Sequence, residues 1–389
     1  MKITEDIEHV GVNDHDIDLF EGQYVVPRGM AYNSYLVKDE KVLVFDSVDA
    51  RKGEEWLANL DAALGGRKID YLVVQHMEPD HSSSIDMFAG RHPGAVIVAS
   101  AQAFQMMKCY FGTDFASRRL VVKEGDTLST GRHEFAFVAA PMVHWPEVIV
   151  TYDTADKILF SADAFGKFGA NDIEDPEGWD CEARRYYFGI VGKFGAQASA
   201  LLKKASALDI KTICPLHGPV LSSADEIAHA VGLYSTWASY GVESEGVAIA
   251  YTSVYGHTKA AVMKLAEKLK ARGCPKVAVA DLARDDQPET VEDAFRYGRL
   301  VLATTTYNMD IFPWMRHFID HLVERNYQSR LVGLVENGTW APNAAKIMRA
   351  MFAKSKNIRF CDTVVTVKGA LDDAGEKALD ALADELMKG

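Results

Sequence analysis

Cysteine pairs, long apolar runs and an excess of basic residues are all missing from this sequence. The 389 residues contain five cysteines, an odd number, and no two of them form a CxxC pair. This argues against a disulfide framework and against an appended module whose metal is held by cysteine pairs. We therefore expect the protein to work in a reducing compartment.

The charge balance and the lack of long apolar segments exclude two further classes of protein. No apolar run approaches the length of a membrane span, and the acidic start MKITEDIEHVGVNDHD lacks the apolar stretch of a signal peptide. A net charge of −13 argues against nucleic-acid binding, because phosphate contacts need clustered Lys and Arg. Hydrophobic and charged contents of 48% and 25% are typical of globular chains. The sequence predicts a cytoplasmic protein of two or three domains.

The segment VVQHMEPDHSSS carries four residues of metal-binding type within six positions, directly after an apolar strand. They are His76, Glu78, Asp80 and His81. Mixed nitrogen and oxygen donors of this kind suit iron, manganese or zinc. The alternative is a solvated polar loop, since Asp, His and Ser are common in loops. Four such residues in so short a space favour the metal site.

Three more residues of the same chemistry stand where other apolar runs stop. His144 lies in APMVHWPE, Asp163 in ILFSADAFG and His217 in TICPLHGPV. Each alone is more often a hydrogen-bonded loop residue than a ligand. Together with the first four they give seven candidate ligands, which is enough for two metals with one bridging carboxylate.

The pattern of secondary structure changes near residue 240. Up to about Cys214, many short strands and few long helices predict a sandwich of sheets flanked by helices. After a linker at 241–246, five near-continuous apolar runs alternate with helical stretches, which predicts a doubly wound parallel sheet. We expect domains at 1–240 and 247–389.

Three loops at the expected carboxyl edge of the second sheet are rich in hydroxyl, aromatic and glycine residues. The first opens a helix and offers hydroxyl and backbone N–H groups to a phosphate, without GxGxxG or a Walker lysine. A plain helix N-cap is the alternative for this loop. The other two loops bring flat aromatic surfaces and a glycine that permits close backbone approach. The candidate cofactor-binding residues are Thr252, Ser253, Val254, Tyr255, Gly256, His257, Thr258, Thr305, Thr306, Tyr307, Asn308, Met309, Asn337, Gly338, Thr339 and Trp340.

These motifs resemble those of the flavodiiron proteins over essentially the whole chain. HxExDH is similar to the HxHxDH motif of the metallo-β-lactamase fold, with Glu78 in place of the second histidine. This exchange of nitrogen for oxygen favours a di-iron centre over hydrolytic zinc. The three loops resemble the phosphate loop and the two isoalloxazine-flanking loops of flavodoxin. The resemblance implies an N-terminal metallo-β-lactamase-like αββα sandwich followed by a flavodoxin-like domain, in the minimal two-domain class.

The resemblance also implies an activity, its cofactors and its partners. Family members reduce dioxygen to water or nitric oxide to nitrous oxide, which protects anaerobes, at two iron ions fed by FMN. The family arrangement is a head-to-tail homodimer or a dimer of dimers, supplied by rubredoxin, ferredoxin or reduced deazaflavin. The implied ligands are His76, Glu78 and His144 for one iron, Asp80, His81 and His217 for the other, and Asp163 as the bridge.

Two other functions remain open from the sequence. One is a di-zinc hydrolase of the metallo-β-lactamase superfamily fused to a flavodoxin domain, although a flavin has no use in hydrolysis. The other is an electron carrier with a degenerate metal domain, against which the complete ligand set argues. Also open are the preferred substrate, the electron donor, the oligomeric state, ligation by His81 and the proton donor. Tyr186 and Tyr187 are candidates for a hydroxyl near the substrate, but we interpret one or both of them as core aromatics and neither as catalytic.

Overall fold

The computed structural model describes residues 1–388, which fold as two compact units. The first unit spans Met1–Ser235 and the second begins at Thr236. The domains expected from the sequence, 1–240 and 247–389, place the boundary between the two units a few residues later. These bounds remain a prediction. Gly389, the last residue of that expected domain, lies outside the described residues.

The first unit is built on two sheets with short strands. These strands are β1 (Ile7–His9), β2 (Val12–Asp14), β3 (Leu19–Phe20), β4 (Tyr24–Val25), β5 (Met30–Tyr32), β6 (Tyr35–Lys38), β7 (Val42–Phe45), β8 (Tyr71–Val73), β9 (Val96–Ala99), β10 (Arg119–Val121), β11 (Thr127–Ser129), β12 (Glu134–Ala139), β13 (Ile149–Asp153), β14 (Ile158–Phe160) and β15 (Thr212–Cys214). One sheet has the order β1-β6-β7-β8-β9-β10 and the other β11-β12-β13-β14-β15, with β2-β5 and β3-β4 as separate pairs.

Seven α-helices accompany these strands. They are α1 (Gly53–Leu64), α2 (Pro79–Ser82), α3 (Ile85–Arg91), α4 (Ala101–Phe111), α5 (Trp179–Tyr186), α6 (Gly195–Ala205) and α7 (Ala224–Ala238). In α1, Trp56, Leu60 and Leu64 recur every four residues and are buried, and Gly65 ends the helix in the left-handed conformation at φ 58°. Short 3-10 turns lie at Ala50–Lys52, Ala116–Arg118 and Gly192–Phe194, and a π turn at Tyr187–Val191.

One apolar core joins the two sheets of the first unit. Phe45 on the first sheet stacks on Phe160 of the second with ring centroids 4.0 Å apart, and its edge meets Phe135 at 5.4 Å. Val73 and Val98 belong to the same buried cluster. Each such side chain contributes about 1.5–3 kcal/mol by leaving water. The predicted sandwich of sheets flanked by helices is therefore confirmed.

The second unit is a parallel sheet with helices between its strands. Its elements are β16 (Ser244–Tyr251), α8 (His257–Ala271), β17 (Val277–Asp281), α9 (Gln287–Arg296), β18 (Tyr297–Tyr307), β19 (Asp310–Ile311), α10 (Pro313–Glu324), β20 (Leu331–Asn337), α11 (Ala344–Met351), β21 (Arg359–Val367) and α12 (Asp373–Lys388). The order β17-β16-β18-β20-β21 is parallel throughout, with β19 added antiparallel to the end of β18.

This strand order confirms the predicted doubly wound sheet. The order reverses beside β16, and open α/β sheets bind ligands at the carboxyl ends of the strands beside such a reversal. β20 is buried along its whole length, as expected for a strand covered on both faces. Within residues 1–388, no helix combines the length and apolar character needed to cross a membrane.

Candidate metal centre and cofactor pocket

Seven predicted side chains come together in the first unit, on segments that follow its strands, with Asp80 and His81 in the short helix α2 and the other five on loops. The HxExDH loop follows β8, the loop with Asp163 follows β14, and the loop with His217 follows β15. β14 and β15 are parallel neighbours, so their carboxyl ends lie at the same edge. Ligand atoms within 4.8 Å of one another define two groups, which are His76, Glu78, His144 and Asp163, and Asp80, His81 and His217.

Asp163 lies between the two groups and faces each with a different oxygen. Its Oδ2 atom is 3.3 Å from Nε2 of His76 and 3.2 Å from Nε2 of His144. Its Oδ1 atom is 3.4 Å from Nε2 of His81 and 3.9 Å from Nε2 of His217. This is the arrangement that a bridging carboxylate requires.

Asp163 and Asp80 are buried, and none of their carboxylate oxygens accepts a hydrogen bond from the described residues. Imidazole Nε2 atoms lie 3.1–3.4 Å from these oxygens. The Nε2 atoms of His81 and His217 also face each other at 2.9 Å. Buried anionic oxygens without donors are unfavourable. Lone pairs that converge in this way fit metal ions.

The electrostatics of the group reflect the close contact between imidazoles and carboxylates. Burial would raise the pKa of Asp163, but His76 and His144 hold it well below its usual value. Burial would lower the pKa of His144, but Asp163 and Glu78 raise it to about 9. The pKa of Glu78 is lowered by the same imidazoles in spite of burial. Metal uptake here must displace protons from histidine.

Glu147 orients one of the candidate ligands and was missed from the sequence. It is buried, and its Oε1 atom accepts hydrogen bonds from Nδ1 of His76 at 2.9 Å and from the backbone N–H of Met77 at 2.8 Å. With the proton on Nδ1, Nε2 of His76 presents its lone pair to the centre. The available signal was an acidic residue three positions after His144, directly before an apolar strand.

Two further buried residues hold the ligand loops in place. The side-chain amide of Asn33 donates to the carbonyls of Pro215 and Gly218, both at 2.8 Å, on either side of His217. Asp46 accepts from the backbone N–H of Gln75 at 2.7 Å, at the start of the HxExDH loop. Burial raises the pKa of Asp46 to about 6.

A cavity of about 310 Å³ lies beside the candidate centre. Glu78, Pro79 and Asp80 form one part of its wall, and the rest is formed by residues of the β3–β4 hairpin together with Ile17, Tyr32, Asp49 and Arg51. Tyr186 and Tyr187 are buried, as their interpretation as core aromatics requires.

A second cavity, of about 350 Å³, lies in the second unit where β16, β18 and β20 end. Thirteen of the sixteen predicted cofactor residues line it. The hydroxyl of Thr252 is buried against Thr304, and Tyr307 packs its ring against Phe312 at 5.3 Å. The lining residues are Ser253, Val254, Tyr255, His257, Thr258, Thr305, Thr306, Asn308, Met309, Asn337, Gly338, Thr339, Trp340 and Gly369.

The loop at residues 252–258, which is rich in hydroxyl groups, and the rim of this cavity have distinct chemistry. Oγ of Ser253 accepts from the backbone N–H groups of Gly256 and Lys259, which ties the loop to the first turn of α8. Gly256 has a φ of 92°, which favours glycine there. Tyr255 and Trp340 are 90% and 70% exposed and provide flat apolar surfaces at the rim.

Gly369 lines the cavity and was missed from the sequence. Asn337 exchanges two hydrogen bonds with its backbone, at 3.0 and 3.1 Å, and the glycine has a φ of 88°. Its sequence signal was a glycine directly after the last apolar run.

Both halves of the chain are similar to known protein families. Residues 30–218 match the family described as "ODP family beta lactamase", and residues 248–382 match a flavodoxin domain. The nitric oxide reductase of Moorella thermoacetica is 29% identical over 364 residues, covering 91% of this chain and 90% of the relative. The rubredoxin-oxygen oxidoreductase of Megalodesulfovibrio gigas is 27% identical and covers 100% and 97%.

Two solved structures share the complete fold. Rubredoxin oxygen:oxidoreductase from Desulfovibrio gigas has a TM-score of 0.93 at 26% identity, covering 100% of this chain and 98% of that one. The flavodiiron protein from Giardia intestinalis has a TM-score of 0.91 at 25% identity, covering 100% and 96%. Both domains, their order and these full-length matches show that the chain belongs to the flavodiiron proteins.

Proposed function

We propose that this chain reduces dioxygen to water, nitric oxide to nitrous oxide, or both, at two iron ions that receive electrons through FMN. The observation that carries the proposal is Asp163, which offers one oxygen to each group of ligands while neither oxygen accepts a hydrogen bond from the described residues. Imidazole and carboxylate donors suit iron. Full-length relatives are named for both activities.

Seven side chains would hold the two irons, and residues around them would fix their geometry. Bound iron would supply electrons to the diatomic substrate, and FMN would refill the centre. Glu147 keeps the His76 lone pair directed inward, and Asn33 fixes the loop on both sides of His217. The proposed ligands are His76, Glu78 and His144 at one iron, Asp80, His81 and His217 at the other, and Asp163 between them.

The second cavity would hold FMN by its phosphate and by its ring system. The backbone N–H groups of His257 and Thr258, at the start of α8, and the hydroxyls of Ser253 and Thr258 suit the phosphate. The exposed rings of Tyr255 and Trp340 suit the isoalloxazine. Gly338 lets the backbone approach the flavin closely.

We also propose a head-to-tail homodimer, alone or paired, in which the FMN of one chain serves the irons of the other. Electron transfer to a buried metal pair needs a near donor, and the exposed aromatic rim of the flavin cavity suits burial against a second chain. Rubredoxin, ferredoxin or a reduced deazaflavin would supply the electrons. Five cysteines, an odd number without a CxxC pair, suit a reducing cytoplasm.

Replacement of the bridging carboxylate tests this function. Asp163→Asn keeps the volume of the side chain and removes the charge shared by both irons. We expect loss of iron and of both reductase activities, while FMN remains bound and is still reduced by a chemical donor. Full reductase activity in this variant, measured by dioxygen and nitric oxide electrodes, would contradict the di-iron proposal. Zinc in the native protein, with no activity after ferrous reconstitution, would support the hydrolase alternative.

A further inference from the structure

Two histidines of α10 face each other from adjacent turns of the helix. His317 and His321 are four residues apart and therefore share one face. Their Nε2 atoms are 3.0 Å apart, and the rings meet edge to face with centroids 4.3 Å apart. Two metal–nitrogen bonds of about 2.0–2.1 Å that meet near a right angle span about 2.9 Å. The separation suits two neighbouring ligands on a single cation.

The tautomer of His317 is set by Gln287, the first residue of α9. The amide nitrogen of Gln287 donates to the carbonyl of Leu282 at 3.1 Å, which directs its Oε1 atom to Nδ1 of His317 at 2.8 Å. Because an amide oxygen only accepts, Nδ1 of His317 carries the proton and Nε2 carries the lone pair. Metal-binding histidines are oriented by outer hydrogen bonds of this kind.

His321 can present a lone pair in the same direction. Its Nδ1 atom lies 2.8 Å from Nη1 of Arg325 and 3.0 Å from Oε1 of Glu324. When Nδ1 accepts from Arg325, the N–H at Nε2 donates to His317. When Arg325 gives up Nδ1 and keeps its contacts with Glu324 and the His321 carbonyl, Nδ1 donates to Glu324 and the Nε2 lone pairs of both histidines converge, which is the form that receives a cation.

The charges around the pair permit a cation to bind. Arg325 forms an ion pair with Glu324, and Asp320 adds a negative charge close to His321. A neutral imidazole is the form that binds metal.

We propose that His317 and His321 form a further metal site, which binds a borderline divalent cation such as Ni²⁺, Cu²⁺ or Zn²⁺ through two imidazoles. Water completes the coordination shell. Imidazole favours these ions over Mg²⁺ and Ca²⁺, which prefer oxygen ligands. The site belongs to the second unit, whereas all seven proposed iron ligands belong to the first, and it does not depend on the proposed reductase function.

Trp314 supplies a local reporter for this site. Its ring lies 6.5 Å from that of His317, edge to face, and the side chain is 48% exposed. Ni²⁺ or Cu²⁺ held by His317 would therefore quench the fluorescence of this tryptophan. Trp314→Phe should remove the quenching and leave the binding of Ni²⁺ unchanged.

Ni²⁺ binding to the oxidised protein, fully loaded with iron and FMN, tests the proposal. We expect one Ni²⁺ per chain by equilibrium dialysis, with the affinity lowered about tenfold or more in His317→Gln and in His321→Gln. Ni²⁺ should raise the melting temperature of the native protein and not that of these variants. His229→Gln is the matched control, because His229 is exposed and its Nε2 atom lies 2.7 Å from a carboxylate oxygen of Asp180 rather than beside a second imidazole.

Retained FMN in both variants shows that the second unit is folded, and glutamine is well tolerated in helices. Ni²⁺ affinity equal to that of the native protein in His317→Gln and His321→Gln would overturn the proposal. An equal loss of affinity in His229→Gln would also overturn it, because binding would then be a general property of surface histidines.

Discussion

The first unit contains two clusters of histidine and carboxylate, and their difference shows what marks a metal centre. The second of them, the His133 cluster, consists of His133, Asp6, Asp153, Asp156 and Arg132. Nδ1 of His133 is 2.9 Å from Asp153, and Nε2 is 3.0 Å from Asp6. By spacing alone, Asp6, His133 and Asp156 also form a possible metal group.

The two clusters differ in the source of their positive charge. Arg132 pairs with Asp6 at 2.9 Å and with Asp156 at 2.6 Å, so the guanidinium stands where a cation would. Both oxygens of Asp153 accept backbone N–H groups. At the candidate centre the carboxylate oxygens of Asp80 and Asp163 have no hydrogen-bond donor among residues 1–388. One cluster is complete as it stands, whereas the other needs metal.

The largest expected difference separates His144 from His133. Both are buried histidines paired with carboxylates, but only His144 contacts Asp163. We expect His144→Gln to lose iron and to lower reductase activity by more than about 100-fold, since a ligand is removed. His133→Gln should keep its iron and lose only stability. Elemental analysis of both variants checks this, and iron loss in His133→Gln would erase the distinction between the clusters.

Substitution of Glu147 should have a smaller effect on iron binding, because Glu147 orients the proposed ligand His76. Glu147→Gln keeps the shape of the side chain and removes the charge that holds the proton on Nδ1 of His76. We expect ferrous affinity to fall about 10–100-fold, measured by competition with a chelator. Asp153→Asn is the control, because Asp153 supports His133 in the same way without touching the centre. Equal affinity in native protein and Glu147→Gln would refute this role.

The smallest expected effect is a pH-dependent stability at the His133 cluster. Burial would lower the pKa of His133, but Asp153 and Asp6 raise it above the ordinary value. Its stabilising contribution is therefore complete below the unfolded pKa of about 6.5 and is lost as the pH rises through the folded pKa. Urea unfolding should show that His133→Gln destabilises the protein more at low pH than at high pH. A difference independent of pH would contradict this assignment.

The sequence identified the seven side chains that the fold brings together at the candidate centre, but not the residues around them. Ligand chemistry resides in the side chains themselves, and HxExDH places four of them in one loop. Glu147 and Asn33 act through partners distant in the chain, His76 and His217, so only the fold shows their roles. Arg132, which completes the other cluster, is invisible to a search for metal ligands for the same reason.

The flavin cavity and the helices also contain features that could not be predicted from the sequence. Predicted loops line the cavity, yet Thr252 and Tyr307 have other contacts because local backbone geometry decides where each side chain points. Helix α4 was not predicted from its mixed polar and apolar sequence. Its signals were the N-cap Ser100, which accepts from Ala103, and Gly112, which ends the helix at φ 73°.

Metal and flavin content of the chain purified without oxygen tests the central claim most directly. Elemental analysis and the flavin absorption spectrum should give two irons and one FMN per chain. Two results would contradict the account. One is bound zinc whose replacement by ferrous iron gives no reductase activity, and the other is a chain that binds neither metal nor flavin.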